Sequence, residues 1–297
     1  MQKLKKQNRK NQIFLNIFLI LLAFLFIYPF LLLLSVSFSK ESDIINYGYS
    51  LIPKNFSVDA YKYLLRNAEQ LIQAYKVTIF FSVTATFFGV LLQAMIAYPL
   101  SRKTMKGRQA LSFFLYFTML FGGGMVSEYI VYTQLYGLSN NILVYILPAL
   151  INPWNIFMIR TFFQGLPDEL FEAVKIDGGN PYIAFFKFAL PLSKPVIATV
   201  AFTTFLGMWN DWYTSLLYIN NDNLISLQYL LQRILQNIDL IKEMSTGRYS
   251  SMVSVKDIPA ETVRMAMTII VAGPTLVIFP FFQKYFVKGL TVGSVKG

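Results

Sequence analysis

The chain contains no cysteine and no histidine. The missing cysteine excludes a disulfide framework. Together the two absences exclude zinc sites of thiolate or imidazole, Ser–His triads and histidine-ligated haem. Acid–base chemistry would fall to carboxylates, lysine or tyrosine, which argues against an enzyme. Charge is also scarce: 14% of the 297 residues are Asp, Glu, Lys or Arg, against about 25% in a soluble domain. No G-x-x-x-x-G-K-[ST] loop occurs, so the chain cannot bind ATP in the P-loop manner. No internal repeat is visible, which argues against a self-contained secondary transporter built from repeats.

Apolar residues fill the space that charge leaves, at 55% of the chain. They gather into six runs, over 13–38, 75–100, 110–132, 141–159, 197–219 and 263–286. A bilayer's hydrocarbon core is crossed by about 20 apolar residues in a helix, so the expected fold is an all-α integral membrane protein with six transmembrane helices. The first run follows Lys3, Lys5, Lys6, Arg9 and Lys10 in the manner of a signal peptide. It is longer than a signal core and has no small-residue cleavage site behind it, so it is read as an uncleaved span.

The formal net charge is +11, and its distribution gives the orientation. Bases crowd residues 1–12, the segment after the second run (Arg102, Lys103, Lys106, Arg108), the segment after the fourth (Arg160, Lys175, Lys187, Lys194) and the end of the chain (Lys284, Lys288, Lys296). With six spans these four segments share one side, and short basic loops mark the cytoplasm. Both termini are therefore expected to be cytoplasmic, with 39–74 and 220–262 outside. The charge excess belongs to topology, and no nucleic-acid partner is expected. The second outer segment carries Leu227, Leu230, Leu231, Ile234, Leu235 and Ile238 at helical spacing, which predicts a short amphipathic helix.

Residues 162–195 are the most patterned polar stretch. Pro167 suits the first turn of a helix. Asp168 and Glu169 follow where carboxylates favour the helix dipole. Leu170, Ala173 and Val174 make one small apolar face, and Gly178 and Gly179 end the helix. Asn180 and Pro181 can start another. The predicted helix–turn–helix is too polar to span and is suited to docking into a partner.

This segment resembles the EAA loop of bacterial ABC import permeases. Glu172, Ala173 and Val174 precede Gly178, and nine residues then lead to Phe188, Ala189, Leu190 and Pro191. Val174 and Phe188 replace the usual Ala and Ile. The fifth run holds Gly207, Trp209, Asn210, Asp211 and Trp212, similar to a Trp-Asn stretch of sugar importers. The ending FVKGLTVGSVKG resembles that of MalG-like permeases, and FTMLFGGGMVSEY (117–129) resembles the LplC/YtcP-like oligosaccharide branch, with Val126 and Ser127 where a proline is usual.

The resemblance implies the ABC type I importer permease fold, with a core permease domain over 75–286 that includes the coupling loop 162–195, and a cytoplasmic tail over 287–297. It implies four kinds of partner: a second, homologous permease subunit, two cytoplasmic ABC ATPase subunits, an extracellular solute-binding protein, and a sugar or oligosaccharide substrate. ATP and Mg2+ would sit on the ATPases, with no cofactor on this chain. Coupling would fall to Glu172, Ala173, Val174, Asp177, Gly178, Leu190 and Pro191, with Ala173 and Val174 facing the ATPase and Glu172 either pairing with a base or capping amides. Substrate-path candidates are Trp209, Asn210, Asp211, Trp212, Tyr116, Tyr129 and Tyr132. Trp209 and Trp212 would share a helical face if the helix is continuous. The run Gly122, Gly123, Gly124 would permit close helix packing or, less in keeping with a span, unwinding. The tail residues Leu290, Gly293, Lys296 and Gly297 read as disordered alone and, by the resemblance, reach the ATPases. The alternatives are a permease for a non-sugar solute, an autonomous secondary transporter, or a membrane-embedded enzyme.

Overall fold

The computed structural model describes residues 2–66, 68–246 and 259–293. Their regular structure is helical. In chain order the helices are α1 (Gln2–Ser37), α2 (Glu41–Tyr47), α3 (Asp59–Leu65), α4 (Ala68–Ser101), α5 (Arg108–Leu120), α6 (Gly124–Ile130), α7 (Leu143–Ile146), α8 (Pro153–Gln164), α9 (Asp168–Ile176), α10 (Pro181–Ile183), α11 (Leu190–Leu192), α12 (Lys194–Trp209), α13 (Tyr213–Tyr218), α14 (Leu227–Thr246) and α15 (Ala260–Gly293). Two π-helical stretches, Val131–Leu135 and Ala184–Ala189, lengthen α6 and join α10 to α11.

Three helical segments are long and apolar enough to cross a membrane: Gln12–Ser37, Ala68–Ser101 and Ala260–Gln283. Three further spans exist if each of three bent pairs is counted as one. These are Arg108–Leu120 with Gly124–Leu135, bent by 110°; Leu143–Leu150 with Pro153–Gln164, bent by 41°; and Pro181–Leu192 with Lys194–Trp209, bent by 79°. The continuous runs expected over 110–132 and 141–159 are thus broken, and the run over 197–219 is interrupted after Trp209. At the first, Phe121 is extended and Gly124 takes φ +79, a left-handed conformation that glycine adopts at little cost. The glycine run therefore unwinds the chain, and a Cβ at Gly122 or Gly124 would meet nothing within 4 Å. At Gly123 a Cβ would lie 3.2 Å from Ser127 Cβ, one turn on in the same segment.

The second break lies between Pro148–Leu150, a 3-10 turn, and α8, which Asn152 caps by accepting from the Asn155 amide. Freed carbonyls inside a membrane must find donors. Gln93 of α4 supplies them, donating its amide to the carbonyls of Ala149 (3.2 Å) and Leu150 (3.1 Å). Gly89, one turn earlier, lets the two backbones meet: a Cβ there would lie 3.0 Å from the Ala149 oxygen. The third bend, of 79°, falls at Ser193 between Pro181–Leu192 and α12; a separate break, between α12 and α13, is taken up with the site below.

The described chain falls into two compact units, 1–68 with 233–273 and 69–232 with 274–297. In the first, Phe38 stacks on Phe56 (5.5 Å) and Tyr61 (4.8 Å). Glu41 caps the start of α15. Its carboxylate accepts from the Glu261 amide (2.8 Å), the Thr262 amide (2.9 Å) and the Thr262 hydroxyl (2.8 Å). The Tyr49 hydroxyl, raised above its usual pKa first by burial and then by Glu261, donates to the Glu261 carboxylate. Removing an N-terminal cap costs about 0.5–2 kcal/mol. Glu41→Ala is therefore expected to lower the thermal midpoint of the purified protein by a few degrees, as thermal unfolding in detergent would show.

The second unit carries the larger described core, with Leu100, Ile156, Ile159, Phe163 and Val200 fully enclosed. The amphipathic pattern at 227–240 is realised in α14, which buries Leu227, Leu230 and Ile238. The backbone of α15 stays helical through Leu290 and Gly293. Lys296 and Gly297 lie outside the described residues.

Candidate functional site

The segment 162–195, expected to couple to a partner, is built on a helix whose ends are closed by its own sequence. Pro167 sits at the N-cap position of α9, one residue before the expected first turn, and Asp168 and Glu169 occupy that turn. The C-terminal end forms a complete Schellman motif. The Gly178 amide donates to the Lys175 carbonyl (3.1 Å) and the Gly179 amide to the Val174 carbonyl (2.8 Å), with Gly178 at φ +74. Asp177 is the C-cap. Gly179, expected only to end the helix, is the tighter position: a Cβ would lie 2.6 Å from Val174 Cγ1 and 2.8 Å from its carbonyl oxygen. Asn180 restarts the chain by accepting from the Ile183 amide (2.9 Å).

The orientation of α9 corrects one expectation. Val174 is only 7% exposed and turns into its own chain. The helix has a single apolar stripe, and that stripe is consumed by packing of Phe171 and Val174 inward. Glu172 and Ala173 remain outside, joined by Ile176 at 85% exposure, Asp177, Gly178 and Tyr182. Leu190 is half-buried and Pro191 exposed. Ile176 is not among the residues expected to couple. Its signal was present, since an isoleucine outside the apolar stripe of a charged helix has no intrachain use.

A second unforeseen residue is Arg102, which the sequence offered only as a topology marker. Its guanidinium donates to the Phe163 carbonyl (2.9 Å), the Ser101 hydroxyl (3.1 Å) and Asp168 (3.3 Å), and lies 3.7 Å from the Phe171 ring centroid. Burial pulls its pKa below the usual arginine value, which still leaves it charged. Beside it, Tyr98 contacts Phe163, Phe171 and Phe185 at 5.4–6.1 Å between ring centroids. The end of α4 is thereby fastened to α8, α9 and the π-helical stretch after α10. Between these elements runs a groove of about 810 Å³, lined in part by Arg102, Lys103, Asp168, Glu172 and Lys175.

The path candidates separate. Trp209 and Trp212 do not share a helical face, because α12 ends at Trp209 and α13 begins at Tyr213. Trp209 is 2% exposed, stacked on Phe205 (5.8 Å) and tilted against Tyr75 (6.2 Å). Trp212 and Asn210 are exposed. Asn210 accepts from Gln228 Nε2 (2.9 Å) and donates to the Leu206 carbonyl. Asp211 is half-buried and caps α13, its carboxylate accepting from the Thr214 amide (3.0 Å). Its carbonyl accepts from Ser226, which is linked through Ser215 to the hydroxyl of Tyr145. The break between α12 and α13 is therefore internally satisfied.

Tyr116 is exposed on α5, one limb of the 110° bend. Tyr129 and Tyr132 lie on the other limb and both meet Tyr218 of α13, at 5.7 Å between ring centroids.

No protein-family model matches the chain. The chain is 36% identical over 98% of its length, and over all of the relative's, to the polygalacturonan/rhamnogalacturonan transport system permease protein YtcP of Bacillus subtilis (strain 168). It is 38% identical to protein LplC of the same organism, over 91% of this chain and 90% of that one. It also superposes on a chain of a bacterial ABC transporter involved in the import of the acidic polysaccharide alginate, with a TM-score of 0.78 and 26% identity, over 94% of this chain and 98% of that one. The chain is a multi-pass membrane protein and belongs to the MalG-like family of carbohydrate-uptake ABC permeases.

Proposed function

We propose that this chain is one of two permease subunits in an ATP-driven importer of oligosaccharides, in the LplC/YtcP-like branch. The observation that carries the reading is the coupling segment. It presents an outward surface of Ala173, Ile176 and Tyr182, which its own unit leaves exposed, on a helix that Asp168 and Phe171 fasten to Arg102 at the end of α4. A chain with no nucleotide loop must take energy from outside, and an exposed helix tied to a span is a means of receiving it. Closure of two cytoplasmic ATPases on this surface would move α9 and, through Arg102, the end of α4. The groove beside Glu172 is then available to the same partner. Six spans, cytoplasmic termini, a homologous second permease and an extracellular solute-binding protein complete the reading. The names borne by YtcP and by the alginate importer favour a saccharide cargo.

Two measurements test this. In proteoliposomes holding the full complex and its binding protein, uptake of labelled oligosaccharide is expected to require ATP. Uptake that persists without the ATPases would favour an autonomous transporter, and uptake of phosphate or amino acids alone would favour the non-sugar reading. For orientation, the native chain has no cysteine, and Lys106 is exposed in the basic loop. Lys106→Cys is expected to react with an impermeant maleimide in inverted vesicles and not in intact cells. Labelling from outside intact cells would reverse the topology.

A further inference from the structure

We infer that Gln228, joined to Asn210 by a hydrogen bond, is a saccharide-contacting residue of the translocation path, where the two neutral amides together take ring hydroxyls and uronate carboxylates. The inference rests on the oligosaccharide reading above and adds to it a contact residue from the start of α14.

The pair stands on fixed backbone. The Ser226 hydroxyl donates to the Asp211 carbonyl (2.6 Å) and accepts from the Tyr229 amide (3.2 Å). The Leu227 amide donates to the Thr78 hydroxyl of α4 (2.9 Å). Ser226 and Leu227 are both fully buried. The first turn of α14 is thereby pinned to α4 and to the chain that leaves α12. Gln228, the next residue, is held against Asn210, the C-cap of α12. Its Nε2 donates to Asn210 Oδ1 (2.9 Å), and Asn210 Nδ2 donates to the Leu206 carbonyl (2.9 Å).

The depth of the pair decides what it can face. On the six-span reading α12 starts at its cytoplasmic end with Lys194, and its 16 residues rise about 24 Å. The hydrocarbon layer is about 30 Å thick. Asn210 and its partner Gln228 then lie within that layer, toward its outer boundary. Yet Asn210 is exposed and Gln228 only half-buried. Amide N–H groups turned to lipid would be costly. Polar side chains at such depth face a water-filled cavity or another subunit, and they mark substrate pathways.

The chemistry of the pair fits a saccharide. Each amide carries two N–H donors and one carbonyl acceptor. After the two bonds above, one N–H of each amide and the Gln228 Oε1 are left over among the described residues. Sugar hydroxyls can donate to that oxygen and accept from those N–H groups, and a uronate carboxylate can accept from the same N–H groups. Neither amide is charged, so neutral and acidic rings are both served. Trp212, two residues beyond Asn210, adds an indole that is 39% exposed, with an apolar face and one N–H. The neighbouring Asp211 carboxylate is turned to the Thr214 amide. Groups already held in place lose little freedom when a ligand arrives.

The test uses the complete complex with its binding protein in proteoliposomes and a panel of labelled neutral and galacturonate oligosaccharides. Those that the wild type takes up serve as probes. Gln228→Leu is expected to lower the saccharide moved per ATP hydrolysed by about three- to tenfold, the loss that goes with one hydrogen bond. Asn210→Cys, in a chain with no native cysteine, is expected to react with a charged methanethiosulfonate in the vanadate-trapped complex. With the binding protein held constant, the saccharide is expected to slow that reaction several-fold. If Asn210→Cys does not react, the pair is sealed against lipid or the second permease and the proposal falls. If it reacts at a rate the saccharide leaves unchanged, while Gln228→Leu loses uptake and ATP hydrolysis in equal proportion, the pair only fastens α14 to α12 and the proposal falls as well. Unchanged uptake by Gln228→Leu also overturns it. Failure of the oligosaccharide reading itself shows separately, as absence of ATP-driven uptake of any saccharide by the wild-type complex.

Discussion

Gly179→Ala is expected to reduce ATP-driven uptake by at least about tenfold in a complex that still inserts and assembles at wild-type abundance. A methyl group at this position would sit 2.6 Å from Val174 Cγ1 and 2.8 Å from the Val174 carbonyl oxygen. The first contact could be relieved by rotating a side chain. The second is with backbone, and relieving it stretches the 2.8 Å bond from the Gly179 amide that closes α9. Val174 is also the residue that α9 buries against its own chain. The substitution therefore disturbs both the end of the coupling helix and its seat.

Gly178 makes an informative contrast. A Cβ there would meet nothing within 4 Å, and the demand is for φ +74 alone. Asparagine tolerates that region better than other side chains. Gly178→Asn is expected to retain most uptake, and Gly178→Val, β-branched at positive φ, to lose it. The measurements are transport at matched expression and saccharide-stimulated ATPase activity. If Gly179→Ala transports as well as the wild type while Gly178→Asn does not, the strain lies at the turn and not in the contact with Val174.

These positions also show how much could be read in advance. The helix–turn–helix at 162–195 was legible because caps and turns are local: Asp168, Glu169, Gly178, Asn180 and Pro181 carry their roles in their own chemistry. The three uninterrupted spans were legible for the same reason, since apolar length needs no partner to be counted. The breaks in the other spans were not. Composition alone does not distinguish a glycine run that packs from one that unwinds, and Gly122 to Gly124 do the second. The break after Leu150 depends on Gln93, whose donors reach it across 56 and 57 residues of sequence. The facing of Val174 and the withdrawal of Trp209 are likewise decided by tertiary neighbours.

Arg102→Met is the other change with a large expected effect: coupled uptake falls by about 10-fold or more, the loss that goes with roughly 1.5–3 kcal/mol for a hydrogen bond to a charged group. Its three arms are unequal. The ion pair with Asp168 has one highly exposed partner, with side-chain exposures of 15% and 70%, and pairs of that kind contribute about 0–1 kcal/mol. Asp168→Asn should therefore be nearly silent. The bond to the Phe163 carbonyl, 2.9 Å long and set against a buried ring, and the 3.7 Å stack on Phe171 carry the greater part. A lysine can supply charge there but neither the planar fork nor the flat face. Arg102→Lys is thus expected to resemble Arg102→Met more than the wild type. Because Arg102 joins the end of α4 to α9, the defect should appear as ATP hydrolysis no longer matched by transport, with the complex still assembled. A double-mutant cycle with Phe171→Leu should show a coupling energy of about 0.5–3 kcal/mol. Additive losses would mean that the guanidinium and the ring act independently, and α4 would then receive the motion of α9 by another route.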